Sequence, residues 1–165
     1  MQIVFDSSTL ILLAKIDLLR ETTDETEIII SEEVERECLI KKSEDAELIS
    51  LLIKERKIII KKADESKAVK KLQFDFRLAK GEAEALWLAR KHDYPAAIDD
   101  GPGIKACKVL GLRFLTAVHF LLSISSQKKL SRELAQEKLT KLVQYGRYNQ
   151  RIVQDTMKRL LEGRK

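Results

Sequence analysis

The sequence is poor in the residues that cross-link a chain or interrupt it. Its 165 residues include two cysteines, two prolines and six glycines, and aromatic residues make up only 5%. Cys38 and Cys107 lack the spacing of metal ligands, and we interpret both as reduced, small apolar packing residues. His92 and His119 have no second histidine or cysteine at ligand spacing, so we interpret both as structural. This composition argues against a disulfide framework and against a zinc site.

Long apolar runs are also missing. No stretch approaches the roughly 20 apolar residues that are needed to span a bilayer. The apolar segment from Leu10 to Leu19 is interrupted by Lys15 and Asp17, and no cationic leader with a cleavage site precedes it. We therefore expect a cytoplasmic protein that does not associate with membranes.

What the chain does have is a large apolar fraction and an uneven charge. Hydrophobic residues make up 44% of the sequence, enough for one compact domain, which we place at 1–165 with helices at about 131–163 included. The net charge is +5, but residues 127–165 carry 11 Lys and Arg against 4 Asp and Glu, while residues 1–126 carry 20 against 22. A basic tail on an acidic body suits a metal-dependent enzyme that acts on a polyanion; the alternative is a solvated helical face.

Short apolar segments alternate with helical patterns along the chain. Buried strands are predicted at residues 2–6, 26–31, 58–60, 96–98 and 112–115. Helices are predicted at residues 8–20, after the N-cap residues Ser31 and Ser43, and at about 64–73, 81–93, 104–110, 117–127, 131–144 and 149–162. Gly101-Pro102-Gly103 is predicted to be a turn. The alternation predicts an α/β fold with a parallel sheet that helices cover on both faces.

Acidic residues recur where these strands end and where the helices start. Asp6 follows the first strand, and Asp99 and Asp100 follow the fourth; Glu82 lies in the first turn of its helix, and Glu37 lies about one turn into another. The carboxyl ends of parallel strands and the starts of the following helices share one edge of a sheet. We therefore expect these acids to converge.

Converging carboxylates repel one another, and a hard divalent cation removes that repulsion. Mg²⁺ and Mn²⁺ prefer oxygen ligands, and a bound ion can activate water and stabilise charge on a phosphate. Because the sequence shows no catalytic Ser–His pair and no phosphate-cradling loop, the pattern indicates metal-assisted phosphodiester hydrolysis. The alternative is that these are ordinary surface acids, since helix starts favour glutamate.

Five segments share the motifs and order of one known family. They are Asp6 to Ile11 with Leu13 to Ile16, Ile30 to Glu37, Gly81 to Ala85 with Leu88 and Ala89, Ile98 to Asp100 with Ala106 and Leu110 to Leu112, and Leu142 to Tyr148. Together they resemble the PIN-domain family, and within it a subgroup related to the VapC-type toxins of archaea and bacteria. The resemblance extends over nearly the whole chain.

The resemblance implies a PIN-like three-layer fold, with a central parallel sheet of about five strands, and a Mg²⁺- or Mn²⁺-dependent ribonuclease site. Asp6, Glu82 and Asp100 would hold the metal, and Glu37 would orient a metal-bound water or act as a base. Asp99 is an adjacent candidate, because the acidic doublet leaves the register open by one residue.

Two hydroxyl residues map onto supporting positions of the family. Ser8 corresponds to the hydroxyl that supports the first acid, and Thr116 corresponds to one near the last strand. Thr9 stands where the subgroup usually has proline. Glu84 lies two residues after Glu82, about 200° around the helix, and we rank it below Glu82 as a site residue.

The implied function is that of an endoribonuclease, the toxin of a toxin–antitoxin pair, with RNA as substrate and an antitoxin protein as partner. We also expect a homodimer, because Leu18-Leu19 and Phe120-Leu121-Leu122 exceed what one helix face needs. The basic residues Arg147, Arg151, Lys158 and Arg159 are predicted to guide RNA to the acids.

Two other functions remain open on the sequence. One is a non-catalytic PIN-like module that binds RNA or a protein through its basic C-terminal helices. The other is a phosphotransfer domain with Asp6 as nucleophile, which is disfavoured because Ser8 stands where a second acid would be needed. Tyr145 and Tyr148 around Gly146 could stack on unpaired bases, but we favour a corner between two helices.

Overall fold

The computed structural model describes residues 1–64 and 66–162. Glu65, within the predicted helix at 64–73, and residues 163–165 at the end of the predicted domain lie outside this described part. The elements are β1 (Gln2–Phe5), α1 (Ser7–Lys15), α2 (Leu19–Glu25), β2 (Glu27–Ser31), α3 (Glu32–Leu39), α4 (Glu44–Lys54), β3 (Ile58–Lys61), α5 (Ser66–Phe76), α6 (Lys80–His92), β4 (Ala96–Ala97), α7 (Gly101–Leu110), β5 (Phe114–Leu115), α8 (Ala117–Ser126), α9 (Arg132–Tyr145) and α10 (Gln150–Glu162).

The five strands form one parallel sheet in the order β3-β2-β1-β4-β5. Val4 of β1 pairs with Ile29 of β2 on one side and with Ala96 of β4 on the other. Along the chain, β2 and β3 are added on one side of β1, and β4 and β5 are then added on its other side. Ligands of open α/β sheets bind at such a reversal, outside the carboxyl ends of the strands. The predicted α/β class, with about five parallel strands, is confirmed.

Helices cover both faces of this sheet. Because side chains alternate along a strand, Ile3 and Phe5 join the core on one face, while Val4 joins the core on the other. The first core also contains residues of α1, α3, α4, α8, α9 and α10, and the second contains residues of α5, α6 and α7. Strands that are buried on both faces are apolar throughout, which is why they stand out in the sequence.

The predicted helix at 8–20 is wrong as one element. It is divided into α1 and α2, because Ile16 ends α1 and Asp17 adopts a left-handed backbone conformation with φ of 54°. The predicted turn at 101–103 is also wrong, since α7 begins at Gly101 with Pro102 in its first turn. Proline suits this position because the first helical amides have no partner inside the helix.

The apolar residues that suggested a homodimer are buried within the chain. Leu18 and Leu19 are 0% exposed, Phe120 is 6% exposed and Leu121 is 0% exposed. Leu122, the remaining residue of this set, is partly buried against the same core. These residues therefore pack within the chain and give no reason to expect a partner. The homodimer stays a prediction without this support. No helix in the described ranges is long and apolar enough to cross a membrane.

Candidate metal centre

Asp6 lies at the centre of the sheet, between the end of β1 and the start of α1. Its backbone N–H donates to the carbonyl oxygen of Ala97, the last residue of β4, over 3.0 Å. Its Oδ1 accepts from the Thr9 N–H at 2.8 Å, and its Oδ2 accepts from the Ser8 hydroxyl at 2.6 Å. The residue is only 1% exposed. Burial raises the pKa of Asp6 to about 7, although the hydrogen bonds from Ser8 and Thr9 oppose the rise.

Glu37 on α3 is held by two other elements at the same edge. Its Oε2 accepts from the Ser7 hydroxyl at 2.6 Å, and its Oε1 accepts from the Gly81 N–H at 3.3 Å. A Cβ added at Gly81 would lie 2.6 Å from Oε2 and 2.7 Å from Oε1 of Glu37. Glycine at position 81 therefore lets the carboxylate pack directly against the backbone at the start of α6.

Glu82 and Asp100 lie side by side. The Glu82 carboxylate accepts from the Ala79 N–H at 2.9 Å and so caps its own helix, α6. Burial raises the pKa of Glu82, and the nearby carboxylates of Asp100 and Glu37 add to the rise. Asp100 is the N-cap residue of α7, but its side chain makes no capping hydrogen bond. Its carboxylate is therefore available beside Glu82.

Asp99, by contrast, has a donor on each carboxylate oxygen. Its Oδ2 accepts from the Ala117 N–H at the start of α8, at 2.9 Å, and its Oδ1 accepts from the Tyr148 hydroxyl. A Cβ at Gly146 would lie 2.6 Å from the Tyr148 ring, so glycine allows this ring to fold back toward the sheet. Burial and the charge of Asp99 raise the pKa of Tyr148, which keeps the phenol protonated as a donor.

These five acids, which we call the acidic edge, form two electrostatically linked groups, one of Glu37, Glu82 and Asp100 and the other of Asp6 and Asp99. The charge of Asp99 contributes to the raised pKa of Asp6. The Thr9 hydroxyl lies beside both of these carboxylates, is fully buried and has no well-formed hydrogen bond within the described residues. A set of carboxylate oxygens with an unsatisfied hydroxyl oxygen is chemically suited to a hard divalent cation.

The present side-chain arrangement does not itself form a coordination cage. Among residues 1–64 and 66–162, no three His, Cys, Asp or Glu side chains stand close enough to hold one ion. The reason is visible in their hydrogen bonds, since Glu37 is turned to Ser7, Glu82 to Ala79 and Asp99 to Tyr148. The carboxylate oxygens of the acidic edge are nevertheless the kind of ligand that a hard divalent cation prefers.

Glu84 lies away from the acidic edge. It is 8% exposed, and its Oε1 is 3.7 Å from Lys80 Nζ. Lys80 also donates to Oε2 of Glu33 at 3.2 Å, and Arg36 binds the same carboxylate. These hydrogen bonds to Arg36 and Lys80 hold the pKa of Glu33 below its usual value, against the effect of burial. Glu84 therefore belongs to an ion-pair network between α3 and α6.

A groove of about 1260 Å³ opens beside Asp99 and Asp100. One wall is α1, another is the start of α7, and the remaining walls are α8, the segment 145–148 and α10. Five cationic side chains line it, namely Lys15, Lys108, Arg147, Arg151 and Arg159, together with the acid Asp155. Lys158 does not line the groove but lies 4.0 Å from Glu162. The basic tail of the sequence therefore places three arginines beside the acids.

Thr116 and His119 form the cap of α8 within this groove. The His119 Nδ1 lies 3.0 Å from both the backbone nitrogen and the hydroxyl of Thr116. His92 lies elsewhere and stacks on Tyr94 with ring centroids 5.4 Å apart. The structural interpretation therefore suits His92, whereas His119 both caps a helix and faces the groove.

Sequence reasoning named the acids and also Ser8, which donates to Asp6, but it missed the residues that hold Glu37 and Asp99. Ser7 binds Glu37, Tyr148 binds Asp99, and Gly81 and Gly146 make room for these contacts. Both glycines lie within motifs that the sequence displays, so a signal existed. This signal did not reveal the contact between Tyr148 and Asp99, because the two residues are 49 positions apart in the chain.

Comparison with known proteins identifies the family of this chain. A family model described as a PIN domain matches residues 2–162. No curated protein was found to match the chain. PIN domains are typically nucleases and generally use divalent metal ions. The match covers nearly every residue of the sheet, the acidic edge and the groove, and the chain therefore belongs to the DUF3368 family of PIN domains.

Proposed function

We propose that this PIN domain is a Mg²⁺- or Mn²⁺-dependent endoribonuclease. The observation that carries the proposal is the acidic edge beside a groove lined by cations, in which Asp6 and Asp99 are one group of neighbouring carboxylates and Glu37, Glu82 and Asp100 are another. Carboxylates bind the metal, and cations bind the phosphate backbone of the substrate. The site thus combines negative charge, which would bind the metal, with positive charge, which would bind the polyanionic substrate.

Asp6, Glu82 and Asp100 are the proposed metal ligands. When bound, the ion would lower the pKa of a water molecule and stabilise negative charge on the phosphate. Ser8 fixes the Asp6 carboxylate through its 2.6 Å hydrogen bond. Glu37, held by Ser7 at 2.6 Å, would orient the attacking water and accept its proton.

The two residues of the acidic doublet receive different roles. Asp100 is the proposed ligand, because its side chain makes no capping bond and lies beside Glu82. Asp99 is the proposed supporting acid, because Ala117 and Tyr148 already occupy its two oxygens. Thr116 supports this arrangement by capping α8, which fixes the Ala117 N–H that binds Asp99.

The finer biological assignment rests on the resemblance of the five segments. By this resemblance the protein would be a VapC-like toxin with an antitoxin partner, and RNA would be the substrate that binds in the groove. The arginines at 147, 151 and 159 support the choice of a nucleic acid, since their side chains are exposed in the groove.

The test is RNA cleavage by the purified protein with Mg²⁺, with Mn²⁺ and with EDTA. Wild type should cleave with metal and stop in EDTA, and Asp6→Asn and Asp100→Asn should each lose about 100-fold or more, because they remove metal ligands. Glu37→Gln should also lose activity, whereas Glu32→Gln, an exposed acid on the same helix, should not. Cleavage that persists in EDTA or in Asp6→Asn would contradict the proposed metal site.

A non-catalytic RNA-binding module is the second candidate. The observation that favours it is the absence of a ready coordination cage among the described residues. The same experiment separates the two functions, since such a module would bind RNA in every buffer and cleave it in none.

A further inference from the structure

We propose that His119 and Arg159 form a phosphate-binding subsite in the groove, next to Asp99. The subsite would hold one phosphate of an RNA strand, and in this respect it rests on the proposed function. Neither residue belongs to the acidic edge. The proposal gives His119 a second role beyond its hydrogen bond to Thr116.

The first observation is the orientation of the His119 ring. Its Nδ1 accepts a hydrogen bond from the Thr116 N–H at 3.0 Å, so this nitrogen carries no proton. A neutral imidazole then has its proton on Nε2. No hydrogen bond of Nε2 appears within the described part of the chain, and the exposed ring lines the groove. The ring thus offers one N–H donor to whatever occupies the groove.

The second observation is an arginine without a carboxylate partner. Arg159 on α10 is exposed and lines the same groove, and no ion pair of its guanidinium appears within residues 1–64 and 66–162. Because α8 and α10 pack against each other, His119 and Arg159 share one side of the groove. Partial burial, and after it the charge of Arg159, lowers the pKa of His119, in line with this placement. A guanidinium offers a fork of donors that matches the geometry of a phosphate.

The third observation is the position beside the acids. Asp99 lines the same groove as His119 and lies near its ring. Because Tyr148 and Ala117 already donate to Asp99, this carboxylate does not compete for the His119 Nε2–H. A phosphate held by His119 and Arg159 would therefore lie directly next to the acidic edge, and would fix where an RNA strand crosses it.

The test measures binding rather than cleavage. A short single-stranded RNA is titrated with protein in EDTA, at several salt concentrations, by fluorescence anisotropy. His119→Asn keeps an acceptor near the Thr116 N–H but does not reach as far as Nε2. Arg159→Gln removes one charge from the groove. Lys158→Gln is the matched control, since it removes one charge from the preceding residue, outside the groove.

We expect His119→Asn and Arg159→Gln each to weaken binding roughly tenfold, the usual effect of losing a hydrogen bond to a charged group. Arg159→Gln should also reduce the slope of log affinity against log salt by about 0.7, and Lys158→Gln should change neither quantity. The double variant should lose less affinity than the product of the two single losses, because both residues contact one phosphate.

Three results would overturn the subsite. The first is wild-type affinity in His119→Asn, and the second is an Arg159→Gln effect no larger than that of Lys158→Gln. The third is a double variant whose loss of affinity equals the product of the two single losses. In each case, metal-dependent cleavage by wild type would leave the proposed function intact. If wild type binds no RNA at all, both proposals fail. Should His119→Asn melt at a lower temperature, His119→Gln gives the second variant, because glutamine at this position caps helices well.

Discussion

At the scale of single residues, the charge of Asp6 opposes folding when no cation is bound. Its pKa rises from 3.8 to about 7 because the side chain is buried. Between these two pH values the folded chain holds the proton more tightly than the unfolded chain does. The free energy of unfolding therefore decreases as the pH increases from 3.8 to about 7, and the whole of this decrease is reached above that range.

Asp6→Asn should consequently stabilise the metal-free protein at pH 8. One pKa unit corresponds to about 1.4 kcal/mol, so the gain in unfolding free energy is at most roughly 4 kcal/mol, and it should vanish near pH 4. Urea denaturation at the two pH values measures it. Mn²⁺ should stabilise wild type but not the variant, since ligands stabilise only the state that binds them. An Asn variant that is less stable at pH 8 would refute this account.

Gly81 allows the position of Glu37 to be changed without changing its charge. In Gly81→Ala the new Cβ would displace the Glu37 carboxylate, which is the far end of a flexible side chain. Alanine in a helix is favoured over glycine by about 1 kcal/mol, so unfolding free energy should stay level or rise. RNA cleavage should fall about tenfold or more, as for other supporting residues of metal sites.

Gly101→Ala is the matched control for this prediction. It also lies at the start of a helix, but no atom lies within 4 Å of its added Cβ. It should therefore keep both stability and cleavage. Full cleavage by Gly81→Ala would show that the placement of Glu37 does not matter, and a joint loss of stability and cleavage would show that the backbone moved instead.

At the scale of secondary-structure elements, α1 is fixed at both of its ends. Asp6 caps its first turn through the Thr9 N–H. At the other end the Lys138 ammonium, only 5% exposed, donates to the carbonyl oxygens of Ile16 at 2.8 Å and Asp17 at 2.7 Å. Burial lowers the pKa of Lys138. A lysine on α9 thus satisfies the carbonyls that α1 leaves unpaired where the chain turns.

Lys138→Met should lower the unfolding free energy by roughly 2 kcal/mol, because the buried carbonyl of Ile16 and the partly buried carbonyl of Asp17 lose their charged donor. Lys141→Met is the control on the same helix. Lys141 forms exposed ion pairs with Asp17 at 3.4 Å and Glu137 at 3.2 Å, and such pairs contribute at most about 1 kcal/mol. Urea denaturation compares the two variants. Equally small losses of unfolding free energy in the two variants would mean that water satisfies these carbonyls as well as Lys138 does.

The same lysine explains where prediction from sequence succeeds and fails. The five strands were predictable because a buried parallel strand is apolar on both faces, as Ile28-Ile29-Ile30 is. The end of α1 was not, since Asp17 is neither glycine nor proline and yet adopts a left-handed conformation. That conformation is stabilised by Lys138, which lies 121 residues later in the chain. Local propensity carries no information on such a contact.

The candidate site divides along the same line. Asp6, Glu82 and the acidic doublet could be named because each lies at a strand end or a helix start that the local pattern reveals, and Glu37 was named from its motif. Ser8, two residues after Asp6, was also predictable, but the partners of Glu37 and Asp99 were not, since the Ser7–Glu37 and Tyr148–Asp99 contacts join residues 30 and 49 positions apart. Of the two interpretations of the Gly146 region, the corner between two helices agrees with the ends of α9 and α10, and stacking on unpaired bases stays a prediction.

At the scale of the whole molecule, the basic tail is not a uniform surface. Its arginines at 147, 151 and 159 line the groove, whereas Lys158 does not. The groove therefore concentrates positive potential beside the acidic edge, where a polyanion would otherwise be repelled. Long-range attraction of this kind speeds association and weakens as salt increases.

Replacing Arg147 and Arg151 by glutamine should weaken RNA binding and reduce the slope of log affinity against log salt by about 1.4, or about 0.7 for each phosphate contact to a single strand. A control with the same loss of charge replaces Lys67 and Lys70, which are exposed on α5 and away from the groove. Equal slopes in the two double variants would mean that only net charge matters. Anisotropy titrations in EDTA give both slopes.

The contact between Tyr148 and Asp99 also sets an order of events during protein synthesis. Translation delivers Asp6, Glu37, Glu82 and the acidic doublet first, and Tyr148 follows 49 residues after Asp99. Until that tyrosine emerges from the ribosome, one oxygen of Asp99 has no donor and α10 is absent from the wall of the groove. A nascent chain therefore carries every acid but an unfinished site. For the proposed ribonuclease, the site would be complete only after α10 has been synthesised, so the acids would leave the ribosome, itself a large body of RNA, before the groove exists.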